Sequence, residues 1–121
     1  MLERKQNVYD DFIAAAEWLI AQKYTKPAKL AVSGGSNGGL LTGAVLTQRP
    51  ELFGAVISAV PLLDMLRYQS FLMARYWIPE YGTAENPEHF RFLKAYSPYH
   101  NVKKGTKYPA VLLTAGENDS R

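Results

Sequence analysis

The sequence predicts an α/β protein with a parallel sheet of about three strands and helices on both faces. Three observations carry this. Short apolar runs alternate with helical patterns, the connections between runs are long enough for crossovers, and a glycine-rich turn joins the first run to the helix after it. Asp10 or Asp11 offers an N-cap for a first helix running to about Gln22, with Phe12, Ile13, Ala16, Leu19 and Ile20 on one face. Pro27 falls in the connection that follows. Leu30, Ala31 and Val32 form a short strand ending at Ser33 and Gly34. A second helix is expected from Asn37 or Gly38, stopping before Pro50, because the residue preceding a proline disfavours the α region. The continuous apolar run 54–60 has the pattern of a strand buried on both faces. The aromatic-rich stretch 61–108 is harder to read, apart from a helix around 87–96. Residues 109–115 supply a third buried strand, followed by the polar segment 116–121.

Composition narrows the class. The 121 residues are 47% apolar and 21% charged with a net charge of +3, the profile of an ordinary globular chain. Lysines and arginines are scattered, so no basic stripe points to nucleic acid. The absence of cysteine excludes disulfides, thiolate metal sites and a cysteine nucleophile, and fits a reducing compartment. The N-terminal MLERKQNVYDD lacks the apolar core of a signal peptide. The uncharged run 30–48 has the length of a membrane span, but its glycines, serines, threonines and Asn37 argue against one. A cytoplasmic protein is the expectation, with the periplasm as the alternative if a precursor carried a signal. No cofactor, metal, nucleic acid or membrane is expected as a partner.

The chemistry concentrates at Gly34-Gly35-Ser36-Asn37-Gly38, which satisfies G-x-S-x-G between a strand and a helix, the context that a nucleophile elbow requires. A sharp turn there strains the serine backbone, and flanking glycines let neighbouring backbone pass close by. The hydroxyl then stands above the sheet, with the helix N-terminus and backbone N–H groups, Asn37 N–H among them, facing a developing oxyanion. An anion-binding loop and a plain tight turn are the competing readings. The former lacks both the G-x-G-x-x-G spacing and a P-loop lysine. In α/β-hydrolase chain order an acid follows a later strand and a histidine follows the acid. Asp119 occupies the acid's place, with Glu117 as local competitor and an Asx turn as the structural alternative. No histidine follows it. His89, in a polar helical segment, and His100, in a turn-like Ser97-Pro98-Tyr99-His100-Asn101, both precede the acid and are more readily structural than catalytic.

Several blocks in order, SGGSNGGLL, QRPELFGAVISAVPLLDMLRY, ARYWIPEYG, KAYSPYHNV and YPAVLLTAGENDSR, resemble the catalytic domain of the prolyl oligopeptidase family of serine peptidases. The resemblance runs over residues 7–121 and covers the middle of that family's α/β-hydrolase domain. It implies a partial α/β-hydrolase fold, truncated at both ends, as a single partial domain over residues 1–121 with no propeller domain. By position it implies Ser36 as nucleophile, Asp119 as triad acid and Asn37 as a backbone oxyanion donor. It also implies Trp77 as the aromatic that stacks on a proline ring in the S1 site, with Leu62 and Tyr81 beside it. Arg121 matches the arginine that binds a substrate carbonyl or carboxylate. A flat aromatic favours a rigid pyrrolidine and a guanidinium supplies a fork of donors, so chemistry and resemblance agree. Asn37 and the Trp77–Tyr81–Gly82 block resemble prolyl oligopeptidase proper more than the basic-residue-specific branch. The family's histidine would lie beyond Arg121, and its gating propeller, early strands and upstream oxyanion tyrosine have no counterpart in this sequence. Met1 falls inside what would be continuous domain sequence, so the sequence reads as a fragment.

Three functional expectations follow. The first is a serine hydrolase that cleaves short peptides after proline through an acyl-enzyme on Ser36 in the complete enzyme. The second is a small esterase on activated esters with His100 or His89 as substitute base. The third is a non-catalytic fragment that self-associates. Two unpaired sheet edges predict an oligomer formed by edge pairing or element exchange.

Overall fold

The computed structural model describes residues 2–117 and Asp119. Three parallel strands, β1 (Ala31–Gly35), β2 (Ala55–Ala59) and β3 (Ala110–Thr114), form one sheet in that order. Val32, Val56 and Val111 are in register, as are Ser33, Ile57 and Leu112. Five helices accompany the strands among the described residues: α1 (Gln6–Ala21), α2 (Asn37–Gln48), α3 (Ile78–Tyr81), α4 (Pro87–Tyr96) and α5 (Pro98–Asn101). Two short 3-10 turns, Tyr68–Ser70 and Ala74–Trp77, lie between β2 and α3.

Helix α2 is the centre of the molecule. It packs on β1 and β2 on one side and meets α1 and α5 on the other. Gly39, Leu40, Leu41, Thr42, Gly43, Ala44 and Val45 are all buried, so this helix is covered nearly all round, as an apolar helix must be. The two buried hydroxyls where α2 meets the sheet, Thr42 of α2 and Ser58 of β2, are satisfied internally. The Thr42 hydroxyl donates to Gly39 O at 2.9 Å and lies 2.9 Å from Ser58 Oγ, which donates to Gly39 O at 3.1 Å.

Two sequence expectations are corrected. Helix α1 begins at Gln6, not near Asp10, and its covered face is Tyr9, Ile13, Ala16 and Ile20; Phe12 is exposed. The early start is sustained by tertiary contact of the first turn, together with a bond from Gln6 Nε2 to Asp10 Oδ1 at 2.9 Å. The strands are also less covered than their apolar runs suggest. Val56 and Ser58 are buried under α2, but Ile57, on the opposite face, is 39% exposed, and all five residues of β3 are exposed. Strand β3 lies beyond the reach of α2, so Val111 and Leu113 stay open even on the helix side.

Candidate active site

The site grows out of the junction of β1 and α2. Ser36 lies between them with φ 56° and ψ −115°, a backbone conformation that non-glycine residues avoid. Such a residue costs on the order of 1–3 kcal/mol and persists only when its surroundings over-determine it. Here they do. Ser36 N–H donates to Ala59 O at 2.9 Å, tying the turn to the end of β2, and Ser36 O accepts the bond from Leu40 N–H at 3.1 Å that opens α2. The glycines before and after make the turn sterically available. A Cβ on Gly34 would stand 2.4 Å from Gly38 O, and one on Gly39 would stand 2.8 Å from Pro61. Ser36 is left exposed.

Val60, at the end of β2, also has a positive φ, 40°, and its N–H donates to Thr114 O at 2.6 Å. It lines, with Ser36, a cavity of about 310 Å³ whose walls include Leu62, Tyr68, Phe71, Ala74 and Trp77, with Asp64 and Asp119 at its polar edges. A second cavity of about 240 Å³ adjoins it and is lined by Ser36, Asn37, Leu62, Trp77, Glu80 and Tyr81. Ser36, Leu62 and Trp77 are common to both. The fold therefore gathers Ser36, Asn37, Leu62, Trp77, Tyr81 and Asp119 at one end of the sheet. Glu117, the alternative acid, is exposed and lines neither cavity. Arg121 lies outside the described residues.

The two histidines are engaged elsewhere. His89 Nδ1 accepts from Thr83 N–H at 3.2 Å, and its ring fills the space beside Gly82. His100 Nδ1 sits 2.8 Å from Ser97 Oγ and its Nε2 3.9 Å from Asp64 Oδ1. That arrangement resembles a serine–histidine–aspartate set, but Ser97 is fully buried and its Oγ already accepts from Met65 N–H and contacts Leu63 O, so it holds loops together. Neither imidazole lines either cavity.

Sequence reasoning missed the layer beneath the site. Asn37 Oδ1 accepts two hydrogen bonds, from Lys5 Nζ at 2.9 Å and Tyr81 Oη at 2.8 Å. Lys5 Nζ also lies 3.4 Å from Glu80 Oε1 and 5.2 Å from the centre of the Tyr81 ring. Burial pushes the Tyr81 phenol up to about 12, so it remains a donor across the working pH range. Tyr68 meets the Tyr81 ring edge-on and donates its hydroxyl to Gly82 O. The YWIPEYG block signalled an aromatic cluster, but nothing local pointed from it to Lys5.

The family model described as the prolyl oligopeptidase family matches residues 1–121. The prolyl endopeptidase of Dictyostelium discoideum is 48% identical over 120 residues, which is 98% of this chain and 16% of that protein. The prolyl endopeptidase of Elizabethkingia meningoseptica is 49% identical over 119 residues, 98% of this chain and 17% of that protein. Among solved structures, one from a mechanistic study of two prolyl endopeptidases superposes with a TM-score of 0.97 at 64% identity, covering 99% of this chain and 18% of that one. A post-proline cleaving enzyme from Rickettsia typhi superposes at 0.88 with 47% identity, over 90% of this chain and 16% of that one. The chain thus spans about a sixth of the length of these relatives. A strained serine at a strand-to-helix turn, in a parallel sheet that superposes on prolyl endopeptidases along nearly its whole length, makes the chain a member of the prolyl oligopeptidase family.

Proposed function

We propose that this chain carries the nucleophile and the proline-binding wall of a serine peptidase that cleaves short peptides on the carboxyl side of proline. The observation that carries the reading is the strained, exposed Ser36 opening onto an apolar cavity walled by Trp77. Ser36 Oγ attacks the carbonyl carbon that follows the proline ring, and the carbonyl oxygen becomes an oxyanion. Asn37, the first residue of α2, offers its backbone N–H, one of the first four donors that a helix leaves without an internal partner. Collapse of the tetrahedral species releases the amine with a proton and leaves the acyl group on Ser36, which water then removes. Asp119 orients the base, a histidine that the family resemblance places downstream. The proline ring packs against the Trp77 face, with Leu62 and Tyr81 closing the site. Since neither His89 nor His100 lines the cavities at Ser36, no observation favours the esterase reading.

The test is selectivity. The full-length protein is expected to hydrolyse an N-blocked dipeptide amide with proline before the scissile bond in preference to its alanine analogue. Trp77→Ala is expected to reduce that preference by about 10–100-fold, the scale on which an apolar pocket discriminates. An enzyme indifferent to proline, or a Trp77→Ala variant that keeps the full preference, would sink the assignment.

We also propose that the 121-residue chain, as one partial domain, associates with itself through β3, where Val111, Leu112 and Leu113 are 41%, 55% and 57% exposed. Light scattering at micromolar concentration is expected to show an oligomer that Leu112→Lys shifts toward monomer; a monodisperse monomer of the unaltered chain contradicts it.

A further inference from the structure

Lys5 is in an unfavourable place by every local rule. It occupies the N-cap position of α1 in a helical conformation, makes no side-chain cap, and puts a cation at the positive end of a helix. It is also 1% exposed, and lysine is almost never fully buried unless it is paired. Its partners are all at the candidate site: Asn37 Oδ1 at 2.9 Å, Glu80 Oε1 at 3.4 Å and the face of the Tyr81 ring. Asn37 and Glu80 are 32 and 75 residues away in sequence, so no local preference draws the lysine to them.

The acceptor explains what this placement does. Asn37 follows Ser36 directly and opens α2, and its side-chain oxygen is held from one side by Lys5 and from the other by Tyr81. Two donors on one amide oxygen fix the side-chain torsions, and with them the orientation of the Asn37 peptide beside the reacting serine. A hydrogen bond from an ammonium is stronger than one between neutral groups, and here its donor is buried although Asn37 itself is exposed.

We infer that Lys5 is a positioning residue for oxyanion stabilisation: through the Asn37 side chain, its ammonium sets the first turn of α2 so that the Asn37 N–H meets the charge that develops next to Ser36. The inference rests on the reading of Ser36 as nucleophile. Because the oxyanion exists only along the reaction path, the contribution belongs to kcat and not to substrate binding.

The test compares Lys5→Met with wild type in the full-length protein, using the proline-containing amide and counting active sites by fluorophosphonate titration. Methionine keeps the length and apolar stem. It leaves Glu80 half-exposed and Asn37 still bonded to Tyr81, so no buried charge is stranded. The expected result is a fall in kcat per titrated site of about 10–100-fold, somewhat less than removing an oxyanion donor outright, with KM within about threefold. Asn37→Ala, which keeps the backbone N–H and removes the clamp's acceptor, is expected to lose a similar factor. Adding Lys5→Met to it should cost less than about threefold more. A kcat per site within twofold of wild type, a loss carried by KM, or a loss only in the number of titratable sites overturns the proposal. If Lys5→Met does not fold, Asn37→Ala decides: a wild-type kcat per site overturns the proposal and a 10–100-fold loss sustains it. Wild-type protein without Ser36-dependent hydrolysis overturns the functional reading and this role with it, whereas Ser36-dependent hydrolysis untouched by Lys5→Met removes only the role of Lys5.

Discussion

Replacing Ser36 by alanine is expected to lower post-proline hydrolysis by the full-length protein about 10⁵–10⁶-fold and to abolish fluorophosphonate labelling, the scale on which loss of a serine nucleophile acts in hydrolases of this mechanism. The residue that remains can donate nothing to an acyl-enzyme, so only oxyanion stabilisation and substrate binding persist. The same position makes a second, independent forecast about stability. Ser36 has φ 56°, where a Cβ is unwelcome. Alanine keeps the Cβ and therefore the strain, whereas Ser36→Gly releases it, although glycine also loosens the unfolded chain. On balance Ser36→Gly is expected to be more stable than Ser36→Ala by about 1 kcal/mol in denaturant titration. Activity retained by Ser36→Ala would remove the serine from the chemistry, whatever the elbow's shape.

The second large effect concerns the acid. Asp119→Asn is expected to reduce kcat about 10⁴-fold with little change in KM, because an amide presents the wrong hydrogen-bonding face to an imidazole and no negative charge to the imidazolium. Glu117→Gln, two residues earlier in the same loop but exposed and outside the cavity, is expected to stay within about threefold of wild type. Steady-state kinetics on the pair discriminate between the two carboxylates. If Glu117→Gln carries the loss and Asp119→Asn does not, the roles are exchanged.

The structure agrees with the sequence unevenly, and the pattern has a physical cause. The β1–turn–α2 unit was legible almost residue by residue, because a strand, a run of glycines and an apolar helix ended ahead of Pro50 are all local signals. Helix α4, expected around 87–96, stands out within the harder stretch 61–108, and the structure supplies its local cause: Asn86 caps it, its Oδ1 accepting from Glu88 N–H at 2.9 Å, and Pro87 stands in the first turn. The start of α1 is not legible locally, since an aspartate pair looks like a cap while the real entry is a lysine that no cap rule would choose. The exposure of β3 escapes the sequence for a different reason. An apolar run records what a strand is suited to bury, and β3 is exposed at all five positions. The rest of the stretch 61–108 is hard to read because its turns and bends are held by distant partners, as when Met65 N–H donates to Ser97 Oγ at 3.0 Å.

By itself, then, the sequence determined the elements whose causes lie within a few residues: the parallel-strand pattern, the glycine-rich strand-to-helix turn with Ser36 at its centre, and through the resemblance the residues to look for beside it. Only the tertiary structure decided which of them meet. It put Trp77 and Asp119 on the cavity that Ser36 opens, left Glu117 out, and committed His89 and His100 to Thr83 and Ser97. It also drew Lys5 beneath Asn37 against its own helix. Turns and caps are settled by backbone sterics and neighbouring side chains, which a sequence displays. The partner of a buried charge is settled by which distant segments fold over it, and no local pattern contains that.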